Sequence, residues 1–122
     1  MRLIKRAGGE CGIVLDSYHL HRTGVGATDL ADIPASAIAL VQVSDVSATP
    51  AVPPQPLTDR LLPGEGSVDW TAFFGFLHAK GYRGHASLEA PNPDHWSADP
   101  QLIARRGLDA LRTLSRAERA QP

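Results

Sequence analysis

Three short and nearly unbroken apolar runs, each stopped by an oxygen-bearing side chain, constrain the fold of this chain most. Cys11-Gly12-Ile13-Val14-Leu15 stops at Asp16, Ala37 to Val43 is broken only by Gln42, and His85-Ala86-Ser87-Leu88 stops at Glu89. An alternating strand is buried on one face. A continuously apolar one is buried on both, as in a parallel sheet covered by helices. Helical patterns lie between and around these runs. Leu3, Ile4 and Ala7 read as the tail of a helix stopped by Gly8-Gly9, and a weak helical turn spans 27–32 before Pro34. Trp70, Phe73, Phe74 and Leu77 form an i, i+3, i+4, i+7 stripe, with Ser67 or Asp69 as cap and Gly81 as stop. A last helix opens at Asp99-Pro100, with Ile103, Ala110, Leu111 and Leu114 as its stripe. The order α-β-α-β-α-β-α predicts an α/β fold with parallel strands and right-handed crossovers. The proline-rich stretch 46–66 reads as one long, stiff connection.

Composition narrows the function classes. The chain has 122 residues and is 43% hydrophobic, enough for one domain with a core. A net charge of −1 gives no electrostatic case for nucleic acid or an anionic membrane surface. No apolar run approaches the roughly 18 residues of a bilayer span, and the first residues lack the apolar stretch of a signal peptide. Cytoplasmic location is the expectation. The one cysteine, Cys11, has no internal disulfide partner and reads as an inert buried thiol.

Chemistry gathers where the runs stop. In parallel α/β folds, ligands bind beyond the carboxyl ends of the strands, where side chains share one mouth. Asp16, Gln42 and Glu89 stand at such ends, with Asp45 just after Gln42. Their oxygens suit a hard or borderline divalent cation such as Mg2+, Mn2+ or Co2+. The bland alternative for each is a helix cap or a solvated loop residue.

The motifs themselves resemble a known family. Ile13-Val14-Leu15-Asp16-Ser17-Tyr18-His19-Leu20 is similar to the Asp-(Thr/Ser)-aromatic-His motif of the sugar phosphate isomerase/epimerase family, the xylose isomerase-like TIM-barrel group. Leu62-Pro63-Gly64-Glu65-Gly66 resembles its Pro-Gly-x-Gly loop, and Gly81-Tyr82-Arg83-Gly84-His85-Ala86-Ser87-Leu88-Glu89 resembles its closing strand motif. The likeness runs from about residue 3 to residue 115 in matching order. A complete (β/α)8 barrel takes about 250 residues. The resemblance therefore implies a partial TIM barrel: residues 1–122 as the C-terminal part of the domain, covering the last three βα units.

By the same resemblance, Asp16, Gln42 and Glu89 are metal ligands, with Gln42 where most members carry His. His19 and Arg60 bind substrate, and Glu89 and His19 are the catalytic groups. The strand-five glutamate, a further ligand and proton carrier, falls before Met1, which implies weak or no activity for the chain alone. The implied function is a divalent-metal-dependent sugar (phosphate) isomerase or epimerase acting through an enediolate on a small sugar or hydroxy-carbonyl compound. Gln42 also resembles the dehydratase branch, which acts on dehydroshikimate or inosose. A third reading is a non-catalytic barrel fragment that self-associates through open strand edges. Among the remaining residues, Asp45 is expected to cap or brace its loop, and His21 and Arg22 to lie in a solvated loop. His78 is expected to be structural and His85 to lie at the surface. His95 and Trp96 are expected in the loop after Glu89, where Trp96 either walls the pocket or packs on the last helix.

Overall fold

The structure is a computed structural model that describes residues 6, 8, 11–49, 52–55 and 57–119, with the backbone alone for 117–119. Except for Arg6, the helix tail expected over residues 1–7 lies outside the described residues.

Three strands form the expected parallel sheet: β1 (Ile13–Asp16), β2 (Ile38–Val43) and β5 (Ala86–Leu88), in the order β1-β2-β5. A fully buried layer fixes the register. Leu15, Val41 and Val43 point to one face, where Trp70, Phe74, Phe76 and Leu77 of α2 (Trp70–Ala79) cover them together with Ile38. Leu111 and Leu114 of α4 (Pro100–Arg119) pack on the same cluster. Each large side chain removed from water here contributes about 1.5–3 kcal/mol. The helix stripe predicted from Trp70, Phe73, Phe74 and Leu77 is the face that docks. Of its two expected caps, Asp69 makes the N-cap bond, accepting from the Ala72 N–H at 2.9 Å.

The opposite face of the sheet has no cover among the described residues. Val14 is 50% exposed although it sits in the middle of an apolar run. Ser87 of β5 is also exposed. Among the described residues, β1 and β5 each pair with a single neighbour and form the two edges of the sheet.

Four expectations change. The helix after β1 is α1 (Ser17–Thr23), not 27–32: Asp16 caps it by accepting from the Tyr18 N–H at 2.9 Å, and Gly24 ends it with φ +69°. That left-handed angle suits glycine. Residues 26–33 carry successive four-residue turns, among them one closed by the Asp29 N–H donating to the Gly26 carbonyl at 3.1 Å. His21 and Arg22 are therefore helical, not loop residues. The connection 46–66 is pinched at its base by a two-stranded antiparallel ribbon, β3 (Asp45–Val46) with β4 (Arg60–Leu61), pairing Asp45 with Leu61 and Val46 with Arg60. A short α3 (Pro93–Trp96) follows β5, capped by Asn92, whose side chain accepts from the Asp94 N–H. Finally, Cys11 is exposed because the strand begins two residues later, at Ile13. Among the described residues no helix is long and apolar enough to cross a membrane.

Candidate functional site

Parallel pairing sets the site. Asp16 lies opposite Gln42, and Gln42 opposite Ser87. Since neighbouring residues of a strand face opposite ways, Val14 and Asp16, Leu40 and Gln42, and Ser87 and Glu89 share the uncovered face. Glu89 lies one residue past β5, but its N–H donates to the Val43 carbonyl at 3.0 Å, so the ladder still holds it. Asp16, His19, Gln42, Arg60 and Glu89 line one cleft of about 410 Å³, with Val14 at its apolar floor. Every site residue expected from the sequence is thus brought together.

Arg60 is at the centre of this arrangement and is only 5% exposed. Its Nη2 donates to Asp16 Oδ2 at 3.0 Å and its Nη1 to Asp16 Oδ1 at 3.3 Å, a two-pronged ion pair. Nη1 also donates to Ser44 Oγ at 2.8 Å and to the Glu89 carbonyl at 3.2 Å. The guanidinium carbon stands 4.4 Å from the centre of the Tyr18 ring, a cation–π contact. The main chain is held too, since Asn92 Nδ2 donates to the Arg60 carbonyl at 2.9 Å. Ser44 is itself locked to α1: Ser17 Oγ donates to its carbonyl at 2.7 Å and accepts from its N–H at 2.9 Å. The β3–β4 ribbon explains why a residue so distant in sequence reaches Asp16.

The more exposed groups stand at the rim. His19, one turn into α1, has a side chain 65% exposed, with Nε2 3.7 Å from Asp16 Oδ2 and 3.4 Å from Arg60 Nη2. Glu89 has a side chain 45% exposed and brings Oε2 to 3.9 Å from Arg60 Nη1. Burial and the nearby Asp59 carboxylate push the Tyr18 phenol above its ordinary value; its hydroxyl faces Asp59 Oδ2 at 3.5 Å.

Asp45 lies outside the cleft but organises its wall. It is fully buried, and each carboxylate oxygen takes two donors. Oδ1 accepts from the Val46 and Val68 N–H groups, both at 2.9 Å, and Oδ2 from the Gly64 N–H and the Trp70 indole, both at 2.8 Å. The loop passes so closely that a Cβ at Gly66 would run into the Val46 carbonyl and the Asp45 carboxylate. This is the brace expected of Asp45.

Among the described residues no three His, Cys, Asp or Glu side chains form a group that holds a metal. The three expected donors are instead two carboxylates, Asp16 and Glu89, and the amide of Gln42. In kind they fit a hard divalent cation, which prefers oxygen. In arrangement, Asp16 faces the Arg60 guanidinium with both oxygens.

Tyr18, Ser44 and Asn92 build the socket of Arg60, and the sequence reading gave them no role. Asn92-Pro93 was the one available signal, as an N-cap followed by a first-turn proline. Trp96 is 66% exposed and is not among the residues that line the cleft.

A parallel sheet with helices on one face, and its polar groups collected at the carboxyl ends of the strands, defines part of a βα-barrel protein with its site at the barrel mouth. The family model for the xylose isomerase-like TIM barrel matches residues 1–114, and the chain belongs to that family. It is 33% identical over 100 residues to an inosose isomerase of Halalkalibacterium halodurans, covering 80% of this chain and 34% of that protein. It is 32% identical over 114 residues to a 3-dehydroshikimate dehydratase of Pseudomonas aeruginosa, covering 89% of this chain and 18% of that one. A crystal structure of the IolI protein with a zinc atom superposes with a TM-score of 0.80 at 22% identity, over 90% of this chain and 39% of the other. The chain thus spans between 18% and 39% of these proteins, and its fold corresponds to part of a barrel.

Proposed function

We propose that this chain carries the mouth of the last three βα units of a metal-dependent enzyme that moves a proton at a carbon beside a carbonyl of a small polyhydroxylated substrate. The observation that carries this is the convergence of Asp16, Gln42 and Glu89, from three adjacent parallel strands, on one cleft shared with His19 and Arg60. A divalent cation such as Mn2+, Mg2+ or Co2+, held by Asp16, Gln42 and Glu89, would supply Lewis acidity toward substrate oxygens.

The chain's own residues account for the rest. Glu89 is the proton carrier: its carboxylate is half exposed at the rim, within reach of a bound molecule, while its N–H fixes it to the sheet. His19 is the second group at the rim. Its Nε2 stands 3.4 Å from Arg60 Nη2 and 3.7 Å from Asp16 Oδ2, facing the cleft. His19 then serves to hold or exchange a proton with a substrate oxygen. Val14 and Leu20 give the cleft an apolar surface for the carbon skeleton of a sugar-sized ligand.

Two outcomes of such proton removal stand side by side. Return of the proton to another carbon gives isomerisation, the activity named for the Halalkalibacterium relative. Loss of a neighbouring hydroxyl as water gives dehydration, the activity named for the Pseudomonas relative. The deciding experiment incubates the purified chain with Mn2+ in D2O with inosose, 3-dehydroshikimate and simple ketoses. NMR reads deuterium entering the carbon beside the carbonyl, and mass spectrometry reads loss of water. We expect slow, metal-dependent exchange that falls at least about a hundredfold in Glu89→Gln. No exchange and no product with any of them would leave the chain a non-catalytic barrel segment.

A further inference from the structure

We infer that Arg60 is a built-in counter-ion that competes with a divalent cation for Asp16, so that the seating of Arg60 sets how tightly the cleft takes a metal. The inference rests on the metal-dependent reading above and assigns Arg60 a different task from anchoring substrate.

Three features carry it. First, the guanidinium meets Asp16 with both of its terminal nitrogens, one on each carboxylate oxygen. Oδ1 already accepts from the Tyr18 N–H as well, so a metal reaching for this carboxylate meets an oxygen pair already turned toward a cation. Second, the position is held from several directions: by Ser44 Oγ, by the Glu89 carbonyl, by the Tyr18 ring beneath and by Asn92 on the main chain. A substrate anchor needs donors directed at open space. Here both terminal nitrogens have protein partners, and Arg60 is almost wholly buried. Third, Arg60 also stands 3.9 Å from Glu89 Oε2, and so lies against both carboxylates of the donor set. Two carboxylates and one guanidinium leave a net charge of one negative unit for a cation carrying two. At these separations, in partly buried surroundings, one fixed positive charge weakens the binding of a dication severalfold or more.

The test is Mn2+ binding to the purified chain, read from the EPR signal of free Mn2+, together with thermal melting. Arg60→Met removes the charge and keeps the stem; Arg60→Lys keeps the charge but meets Asp16 at one point. We expect Arg60→Met to bind Mn2+ on the order of tenfold or more tightly than the parent chain, and Arg60→Lys to fall between. Without metal, Arg60→Met should melt lower than the parent, because Asp16 loses its partner, and Mn2+ should raise its melting temperature more. Equal or weaker Mn2+ affinity in Arg60→Met overturns the inference and leaves the metal reading intact. Absence of Mn2+ binding in both parent and variant overturns both. Should Arg60→Met not fold, Ser44→Ala decides: it removes the shortest of the three contacts of Nη1 and so loosens the seating of the guanidinium without removing the charge. A severalfold gain in Mn2+ affinity supports the inference, and an unchanged affinity overturns it.

Discussion

At the scale of single residues, the two aspartates nearest the mouth are used in opposite ways. Asp16 faces a cation, whereas Asp45 faces four neutral N–H groups in a place without solvent. Asparagine at 45 keeps the shape but turns an NH2 toward two of those donors. We expect Asp45→Asn to cost about 2–3 kcal/mol in urea unfolding, and Asp45→Ala about 3–5. Tyr18 separates in the same manner into a ring and a hydroxyl. Its ring lies under Arg60, while its hydroxyl makes only a long contact to Asp59. Tyr18→Phe should therefore lower stability by less than about 1 kcal/mol and Tyr18→Leu by about 2–4, as measured by chemical denaturation. Legibility followed the same division. Asp16, Gln42 and Glu89 were readable because each stops an apolar run, and His19 and Arg60 because they sit in motifs. Tyr18 and Ser44 were not, since their partners arrive from strands and loops far along the chain.

At the scale of elements, what could be read was what carried a period. β1, β2, α2 and α4 showed in the apolar pattern, because each packs apolar side chains against the core. The β3–β4 ribbon has two residues per strand and α3 has four, too few for any period to register. α1 was missed for another reason. Its start is an aspartate that also serves the cleft, and its polar sequence Ser17-Tyr18-His19-Leu20-His21-Arg22-Thr23 reads as a loop until Asp16 and Gly24 are seen as caps. Caps then become testable handles. Asp69 holds the first turn of α2 through the Ala72 N–H, so Asp69→Ala should lower the unfolding free energy by about 1 kcal/mol and leave Mn2+ binding unchanged.

At the scale of the whole molecule, the sheet is finished on one side only. Helices cover the face that holds Leu15, Val41 and Val43, whereas among the described residues nothing covers Val14 on the opposite face or pairs with the outer edges of β1 and β5. Such a surface invites pairing with other strands. We expect the purified chain to self-associate as its concentration rises, and Val14→Lys to shift it toward monomer in size-exclusion chromatography with light scattering. The same open face carries a consequence for selectivity. The cleft has a floor and one side, formed by β1, β2, β5 and the Arg60 socket, and its far side is left to whatever polypeptide lies over Val14. Under the proposed function, whichever segment shelters that valine from water would also draw the outline of the ligand the cleft accepts. The choice of structural neighbour and the choice of ligand would then be made by the same contact.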